Sequence, residues 1–357
     1  MDKMKFRINW KQLQCLKLAD MPAWGNQAWF PKHKSTFKNR RFPSIRYIPF
    51  ALWATDDYTS DTYNVVDGFR LVANMFNSKA ACACISPALK VAIYGDSVVF
   101  GQYSPDFLTI SSSLVPLLDC YPAKVVDRSA TGYTIENSLH LFVSDILEGC
   151  TSRVIFVFFG INEVLTSLED TPHSFFPLFD LAKPKSFQKV IEILLCRGQD
   201  KILSIINLFL SKQLGCKGDS FSINCTPLPS DFESKILRSI NRSVNSLKLF
   251  NSLTYSLDKT VIPVLLPNIF AFEGPLNKDE ISVVANAMRM HPSIDKAFIG
   301  YARGVADSLN VENIDFLDLN SELSSLKLES HYFLDICHLS PDAHQDIATL
   351  LAAKISF

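Results

Sequence analysis

The sequence predicts an α/β protein, a three-layer α/β/α sandwich around a central, mostly parallel five-stranded sheet. Two patterns predict this fold class. Five short apolar runs recur along the 357 residues, and each is rich in Val, Ile or Phe, as strands buried on both faces are. Stretches with helical spacing separate these runs. Such an alternation favours one layered sheet with right-handed crossovers.

The five predicted strands run from the middle of the chain to near its end. They are "KVAIYG" (Lys90–Gly95), "AKVVD" (Ala123–Asp127), "SRVIFVFFG" (Ser152–Gly160), "TVIPVLLP" (Thr260–Pro267) and "NIDFLDL" (Asn313–Leu319). A small polar cluster follows or ends each of the first three. Functional sites in open parallel sheets lie at the carboxyl ends of the strands, so these clusters are where a site is expected.

Three segments have the apolar spacing of helices. Two of them span residues 230–257 and 293–310. The third closes the chain, with Ser340 as its predicted N-cap and Pro341 at the first helical position. Its apolar face consists of Ala343, Ile347, Leu350, Leu351 and Ile355.

Two regions stand outside the regular alternation. Residues 1–88 are rich in aromatic and turn residues, and we expect an N-terminal extension packed on a main domain of residues 89–357. Within that domain, residues from about 164 to 230 form a predicted helical insertion, too long for a plain loop. It is compatible with a lid or wall of a pocket and equally with an elaboration of the scaffold.

Composition excludes several function classes. Lys plus Arg number 35 and Asp plus Glu 36, so no overall field attracts nucleic acid or anionic membrane. A basic stretch, residues 32–41, is expected to be a solvated loop. Nine cysteines without a regular framework predict free thiols in a reducing compartment and no metal site. No apolar run has the length of a signal peptide core or a transmembrane helix, so a cytoplasmic protein is expected.

Three residue types suited to acyl transfer occur at the expected places. Ser97 follows the first strand in Gly-Asp-Ser, and Asp335 stands three residues before His338, just ahead of the last helix. A serine nucleophile needs a histidine base and a carboxylate that orients the imidazole. Each motif alone is more often a turn or a helix cap. Together, in this order and at these element ends, they predict a catalytic triad of Ser97, His338 and Asp335.

The same motifs resemble those of the SGNH hydrolases, also called the GDSL esterase/lipase superfamily. "YGDSVVFGQ" resembles the first sequence block of that family, "VVDRSATGYT" the second, "FVFFGINEV" the third and "DICHLSPDAHQDIA" the fifth. The resemblance covers the chain from Lys90 onwards except the insertion. It implies Ser97 as nucleophile and an oxyanion hole formed by the Ser97 N–H, the Gly132 N–H and the Asn162 side chain. Glu163 departs from the family, which usually has Asp there, and is expected to have a structural role.

The resemblance implies a serine ester hydrolase without cofactor, acting on a short acyl ester of a small molecule or carbohydrate. The segment around Asn64, Gly68 and Arg70 is also similar, less specifically, to one that precedes the hydrolase domain in bacterial members linked to surface polysaccharides. Three alternatives stay open. They are an acyltransferase with the same site, a lipase for longer acyl chains, and a non-catalytic binding protein on this fold.

Overall fold

The computed structural model describes residues 45–46, 54–73, 89–118, 123–150, 152–168, 228–326 and 332–355. Among them, a five-stranded sheet has the order β6-β5-β7-β8-β9, and every neighbouring pair in it is parallel. Its strands are β5 (Leu89–Gly95), β6 (Ala123–Ser129), β7 (Val154–Phe159), β8 (Thr260–Leu265) and β9 (Leu317–Asp318). The predicted sheet is thereby confirmed. The chain order reverses between β5 and β7, and open α/β sheets bind ligands at such a point, at the carboxyl ends of the strands.

Eight α-helices are described. They are α1 (Ile110–Leu117), α2 (Ile135–Leu147), α3 (Ile161–Leu168), α4 (Phe232–Ser256), α5 (Lys278–Met290), α6 (Ile294–Val311), α7 (Leu319–Ser325) and α8 (Pro341–Lys354). Helix α4 contacts α2, α3 and α6, whereas α8 contacts α1 and α7. These two groups of helices form the two outer layers that the sequence predicts. The N-cap of α8 is also confirmed, since the Ser340 side chain accepts a hydrogen bond from the Ala343 N–H.

The core lies where the helices cover the central strands. Every residue of β7 is buried, as expected for a strand with both faces covered. Phenylalanine fills much of this space. The rings of Phe142 and Phe250, from α2 and α4, stack with their centroids 5.2 Å apart, and Tyr94 on β5 meets Phe142 edge-on at 5.8 Å. The many Phe residues therefore serve the packing of helices on the sheet.

The fifth strand is shorter than the predicted Asn313–Leu319. Only Leu317 and Asp318 pair with β8. The residues before them close α6 instead, because Asn313 adopts a positive φ of 54° and the Ile314 N–H donates to the Leu309 carbonyl. An apolar run with Val, Ile or Phe does not distinguish a strand from the loop that leads into it.

The N-terminal part is described at residues 45–46 and 54–73. Strands β1 (Ile45–Arg46) and β2 (Ala54–Thr55) pair antiparallel, as do β3 (Val65–Val66) and β4 (Phe69–Arg70). Phe69 belongs to the main hydrophobic core, so this segment packs on the sheet domain. The basic stretch at 32–41 and residues 169–227 of the predicted insertion at about 164–230 lie outside the described residues. No helix of the described part combines the length and apolarity needed to cross a membrane.

Candidate active site

Ser97 lies in a tight turn directly after β5. The Asp96 carboxylate accepts a hydrogen bond from the Val98 N–H at 2.8 Å, which fixes the turn. Gly95 has a steric reason to be glycine, because a Cβ there would lie 2.6 Å from the Val99 side chain. The turn then coils helically, with the Gln102 N–H donating to the Ser97 carbonyl at 3.2 Å. The result is a serine held at the carboxyl edge of the sheet.

The loop before α8 presents Asp335 and His338. The backbone N–H groups of Cys337 and His338 both donate to Asp335 Oδ1, at 2.9 and 2.8 Å. The Leu334 N–H donates to the His338 carbonyl at 2.8 Å, which closes the loop. One carboxylate oxygen of Asp335 is therefore used to hold the loop. The other oxygen is left to face the imidazole ring.

The three predicted triad residues come together across 241 positions of the chain. His338 Nε2 lies 2.9 Å from Ser97 Oγ, and His338 Nδ1 lies 2.7 Å from Asp335 Oδ2. Asp335 is completely buried, whereas Ser97 and His338 keep 8% and 7% of their surface exposed. A carboxylate that orients Nδ1 leaves Nε2 free to accept the serine proton, which is the arrangement of a serine hydrolase triad.

The electrostatics of the pair favour this arrangement. Burial raises the pKa of Asp335, but the facing imidazole and the two backbone N–H donors outweigh burial, and the net pKa of Asp335 is lowered. For His338, burial lowers the pKa, and the charge and hydrogen bond of Asp335 reverse this, so the net pKa is raised. The surroundings of His338 therefore favour its charged, imidazolium form.

A buried glutamate that the sequence analysis missed supports the Asp335 loop. Glu280, in the first turn of α5, accepts hydrogen bonds from the Tyr332 and Phe333 N–H groups, both at 2.9 Å, through Oε1. Its Oε2 accepts from the Asn277 N–H at 2.9 Å and completes the capping box of α5. The spacing Asn277-x-x-Glu280 is a recognisable helix start, so α5 had a local signal. The contact of Glu280 with Tyr332 and Phe333 had no local signal in the sequence.

Besides Ser97, the predicted oxyanion-hole residues Gly132 and Asn162 lie at the neighbouring strand ends. Gly132 stands in the turn after β6 with a φ of +82°, a conformation that favours glycine. Asn162 lies in the first turn of α3, after β7. Its Nδ2 donates to the Tyr133 carbonyl at 2.8 Å and to Asp96 Oδ2 at 3.2 Å. The amide thus links the ends of three neighbouring strands, β5, β6 and β7.

Substitution of Asn162 by alanine is expected to lower kcat about 100- to 1,000-fold, the usual cost of losing one oxyanion donor. Steady-state kinetics on an activated acetyl ester measure the effect. Titration of active sites with an organophosphorus probe serves as the control, since Ser97 should still be labelled to completion. A kcat within threefold of wild type would remove Asn162 from the oxyanion hole.

Glu163 joins two strand ends, in keeping with the structural role predicted for it. It is completely enclosed, and it accepts hydrogen bonds from the Ile135 N–H at 2.6 Å and the Gly160 N–H at 2.7 Å. Burial raises its pKa to about 7, although the two N–H donors partly oppose this shift. The carboxylate therefore ties the turn after β7 to the start of α2, the helix that follows β6.

Substitution of Glu163 by glutamine is expected to lower the free energy of unfolding by about 1–3 kcal/mol, because the amide NH₂ cannot accept from the second backbone N–H. The free energy of unfolding is measured with urea at pH 5, where Glu163 is mainly protonated, so that the side chain at position 163 is neutral in both folded proteins. Glu233→Gln, on an exposed part of α4, is the matched control. Equal stability of the two variants would contradict this structural role.

Other polar groups near the triad have packing roles. Tyr103 is an addition to the predicted site, since its ring meets the His338 ring edge-on with centroids 5.1 Å apart. Cys337 is buried, and burial raises the pKa of its thiol well above the usual value, so the thiol is protonated. His344 is buried too, with its pKa lowered by burial to about 4, and its Nδ1 lies 3.0 Å from the Leu108 carbonyl. Asp318 caps α7 by accepting from the Asn320 N–H.

Comparison with known proteins gives matches among solved structures only. No protein-family model and no curated protein gives a significant match. A protein from Desulfitobacterium hafniense DCB-2, described as a lipolytic protein of the G-D-S-L family, is 12% identical over 74% of this chain and 98% of its own, with a TM-score of 0.40. An acetylxylan esterase from Geobacillus stearothermophilus is 14% identical, covering 76% and 96%, with a TM-score of 0.40.

A third structure, a member of the lipolytic protein G-D-S-L family from Veillonella parvula DSM 2008, is 11% identical. It covers 75% of this chain and 98% of its own, with a TM-score of 0.38. At such identities and TM-scores the similarity does not specify a reaction. The chemistry of this chain has to be read from Ser97, His338 and Asp335 themselves.

Proposed function

We propose that this protein is an SGNH-type serine ester hydrolase that works through an acyl-enzyme intermediate. The observation that carries the proposal is the connected pair of contacts, Ser97 Oγ to His338 Nε2 at 2.9 Å and His338 Nδ1 to Asp335 Oδ2 at 2.7 Å. These contacts lie at the carboxyl edge of a parallel sheet, beside two residues suited to stabilise an oxyanion. A non-catalytic binding protein would have no need of an aligned triad.

The proposed reaction begins with attack of Ser97 Oγ on the ester carbonyl carbon, while His338 Nε2 takes the hydroxyl proton. The negative charge on the former carbonyl oxygen is stabilised by the Ser97 N–H, the Gly132 N–H and the Asn162 amide. Collapse of the tetrahedral species breaks the bond to the alcohol, which leaves with the proton from His338. Water, deprotonated by His338, then attacks the acyl-enzyme and releases the acid and free Ser97.

The substrate assigned in this proposal is a short acyl ester, of acetyl type, on a small molecule or carbohydrate. The similarity of the segment around Asn64, Gly68 and Arg70 to members linked to surface polysaccharides supports the carbohydrate. The short acyl group is what the resemblance of the site motifs to the SGNH hydrolases implies.

The proposal is tested with p-nitrophenyl esters of two to twelve carbons and with an acetylated oligosaccharide. The predicted result is the highest kcat/KM for the acetyl ester, acetate release from the sugar, and neither activity in Ser97→Ala. A preference for long chains would indicate a lipase. Acyl transfer to an added sugar in excess of hydrolysis would indicate the acyltransferase. No turnover of any ester, with or without an acceptor, would contradict the proposal.

The value of kcat/KM is expected to rise with pH, and the midpoint of this rise should lie above 6.5, the ordinary pKa of histidine. His338 must be neutral to accept the Ser97 proton, and Asp335 raises its pKa by favouring the charged form. Measurement of kcat/KM between pH 5 and 9 locates this ascending limb. A midpoint below 6.5 would mean that burial, and not Asp335, dominates the environment of His338.

A further inference from the structure

Arg70 is a buried cation that contacts the loop following the nucleophile. Its exposed fraction is 3%, and it makes four hydrogen bonds. Nη1 donates to the carbonyls of Phe100 at 3.0 Å and Gly101 at 2.8 Å, Nη2 donates to the carbonyl of Ser104 at 2.6 Å, and Nε donates to Asp106 Oδ1 at 2.8 Å. Three of the four acceptors are therefore main-chain atoms between positions 100 and 104.

The carbonyls of Phe100 and Gly101 lie at the end of the helical turn that carries Ser97, and that of Ser104 follows in the next loop. The turn begins with the Phe100 N–H donating to the Asp96 carbonyl and ends at Gly101, whose φ of +62° stops the coil. Carbonyls at the end of a helical turn point away from it, and a positive charge there is favourable. The guanidinium of Arg70 supplies that positive charge, and its planar set of N–H donors forms hydrogen bonds with the carbonyls at the end of the turn.

The guanidinium is itself held in place from the N-terminal segment. The ring of Tyr63 lies against it, 3.6 Å from the guanidinium carbon to the ring centroid. Asp106 accepts from the Asn64 backbone N–H and from the Asn64 side-chain amide, as well as from Arg70. Asn64 and Arg70, which the sequence analysis singled out together, thus converge on Asp106. A lysine at position 70 would keep the charge but not the fork.

The loop that Arg70 holds also contacts the catalytic base. Tyr103 lies between the two carbonyls of Gly101 and Ser104 that Arg70 binds, and its ring meets the His338 ring edge-on at 5.1 Å. The same loop is continuous with the turn that carries Ser97. The buried Arg70 guanidinium therefore holds the backbone that follows Ser97. Through the same loop it also holds the Tyr103 ring that lies against His338.

We propose that Arg70 is a positioning residue that aligns Ser97 with His338, so that the segment of residues 54–73 is a working part of the active site. This inference rests on the proposed serine hydrolase function. Under this proposal, full activity requires Arg70 in addition to the three residues of the triad. The reaction rate of Ser97 should depend on the guanidinium fork at position 70, even in molecules that are fully folded.

The test measures Ser97 labelling by a fluorophosphonate in wild type, Arg70→Lys and Arg70→Met. Two quantities are read by intact mass, the fraction labelled at completion and the rate constant of labelling. Arg242→Lys is the matched control, since Arg242 makes a similar two-bond contact with Glu136 on the exposed side of α4. A purely structural role would lower the fraction and leave the rate constant unchanged.

The expected result is complete labelling of Arg70→Lys with a rate constant at least tenfold below wild type, a larger drop in Arg70→Met, and no change in Arg242→Lys. A rate constant within twofold of wild type in Arg70→Lys would overturn the inference. If both Arg70 variants fail to fold, Asp106→Asn is measured instead, because it weakens the hydrogen bond to Arg70 Nε but leaves the guanidinium in place. Its labelling rate constant is expected to fall at least threefold, and a value within twofold of wild type would overturn the inference. Absence of labelling in wild type would instead overturn the proposed function.

Discussion

Substitution of Ser97 by alanine is expected to lower ester hydrolysis by about a million-fold, the size of effect seen when a serine hydrolase loses its nucleophile. The reason is geometric, because Ser97 Oγ is the atom that lies 2.9 Å from the base His338 Nε2. Any rate that remains would come from substrate binding and the oxyanion donors acting on water. The measurement is kcat/KM on an acetyl ester, with enough enzyme to detect the residual rate.

Ser252→Ala is the matched control, since Ser252 is exposed on α4 and its hydroxyl donates to the Lys248 carbonyl of the same helix. It should keep wild-type kinetics. The unfolding midpoint of Ser97→Ala should stay near that of wild type, because Ser97 is not part of the hydrophobic core. A Ser97→Ala enzyme that retained one hundredth of the wild-type rate would place the nucleophile elsewhere.

Asp335→Asn should produce the second largest loss, about 10,000-fold in kcat. The amide would present an NH₂ group where Nδ1–H of His338 now donates to the carboxylate at 2.7 Å. The ring would then favour the tautomer with its proton on Nε2, and that nitrogen could no longer accept the proton of Ser97. Steady-state kinetics followed up to the alkaline plateau of the pH profile exclude protonation of His338 as the cause of the loss, because its pKa is raised.

The control for this substitution is Asp342→Asn, an exposed aspartate in the first turn of α8. This variant makes the same change from carboxylate to amide seven residues after Asp335, and it should retain at least half of the wild-type kcat. If Asp335→Asn lost less than tenfold while remaining folded, Asp335 would serve the loop alone. Its bonds to the Cys337 and His338 N–H groups would then be its whole role.

The sequence alone predicted the sheet and the triad because both have local signals. Strands β5 to β8 are apolar runs, polar clusters follow the first three of them, and a parallel sheet brings such ends to one edge. The fifth strand was predicted too long, because nothing in "NIDFLDL" distinguishes the residues that close α6 from those that pair with β8.

The supporting residues could not be predicted, because their partners lie far along the chain. Arg70 contacts Asp106 at a separation of 36 positions, and Glu280 contacts Tyr332 at a separation of 52. Nothing local marks such pairs. Tyr103 likewise becomes recognisable only when the fold brings it against His338. The roles of Gly132 and Asn162 as oxyanion donors remain predictions for the same reason, since they depend on where a substrate oxygen lies.

The most direct test of the central claim is covalent labelling by a fluorophosphonate, read by intact mass on wild type, Ser97→Ala and His338→Ala. An activated serine predicts one adduct on wild type, none on Ser97→Ala, and labelling slowed at least 100-fold in His338→Ala. Absence of an adduct on folded wild type, or an adduct that persists in Ser97→Ala, would contradict a serine nucleophile at the end of β5.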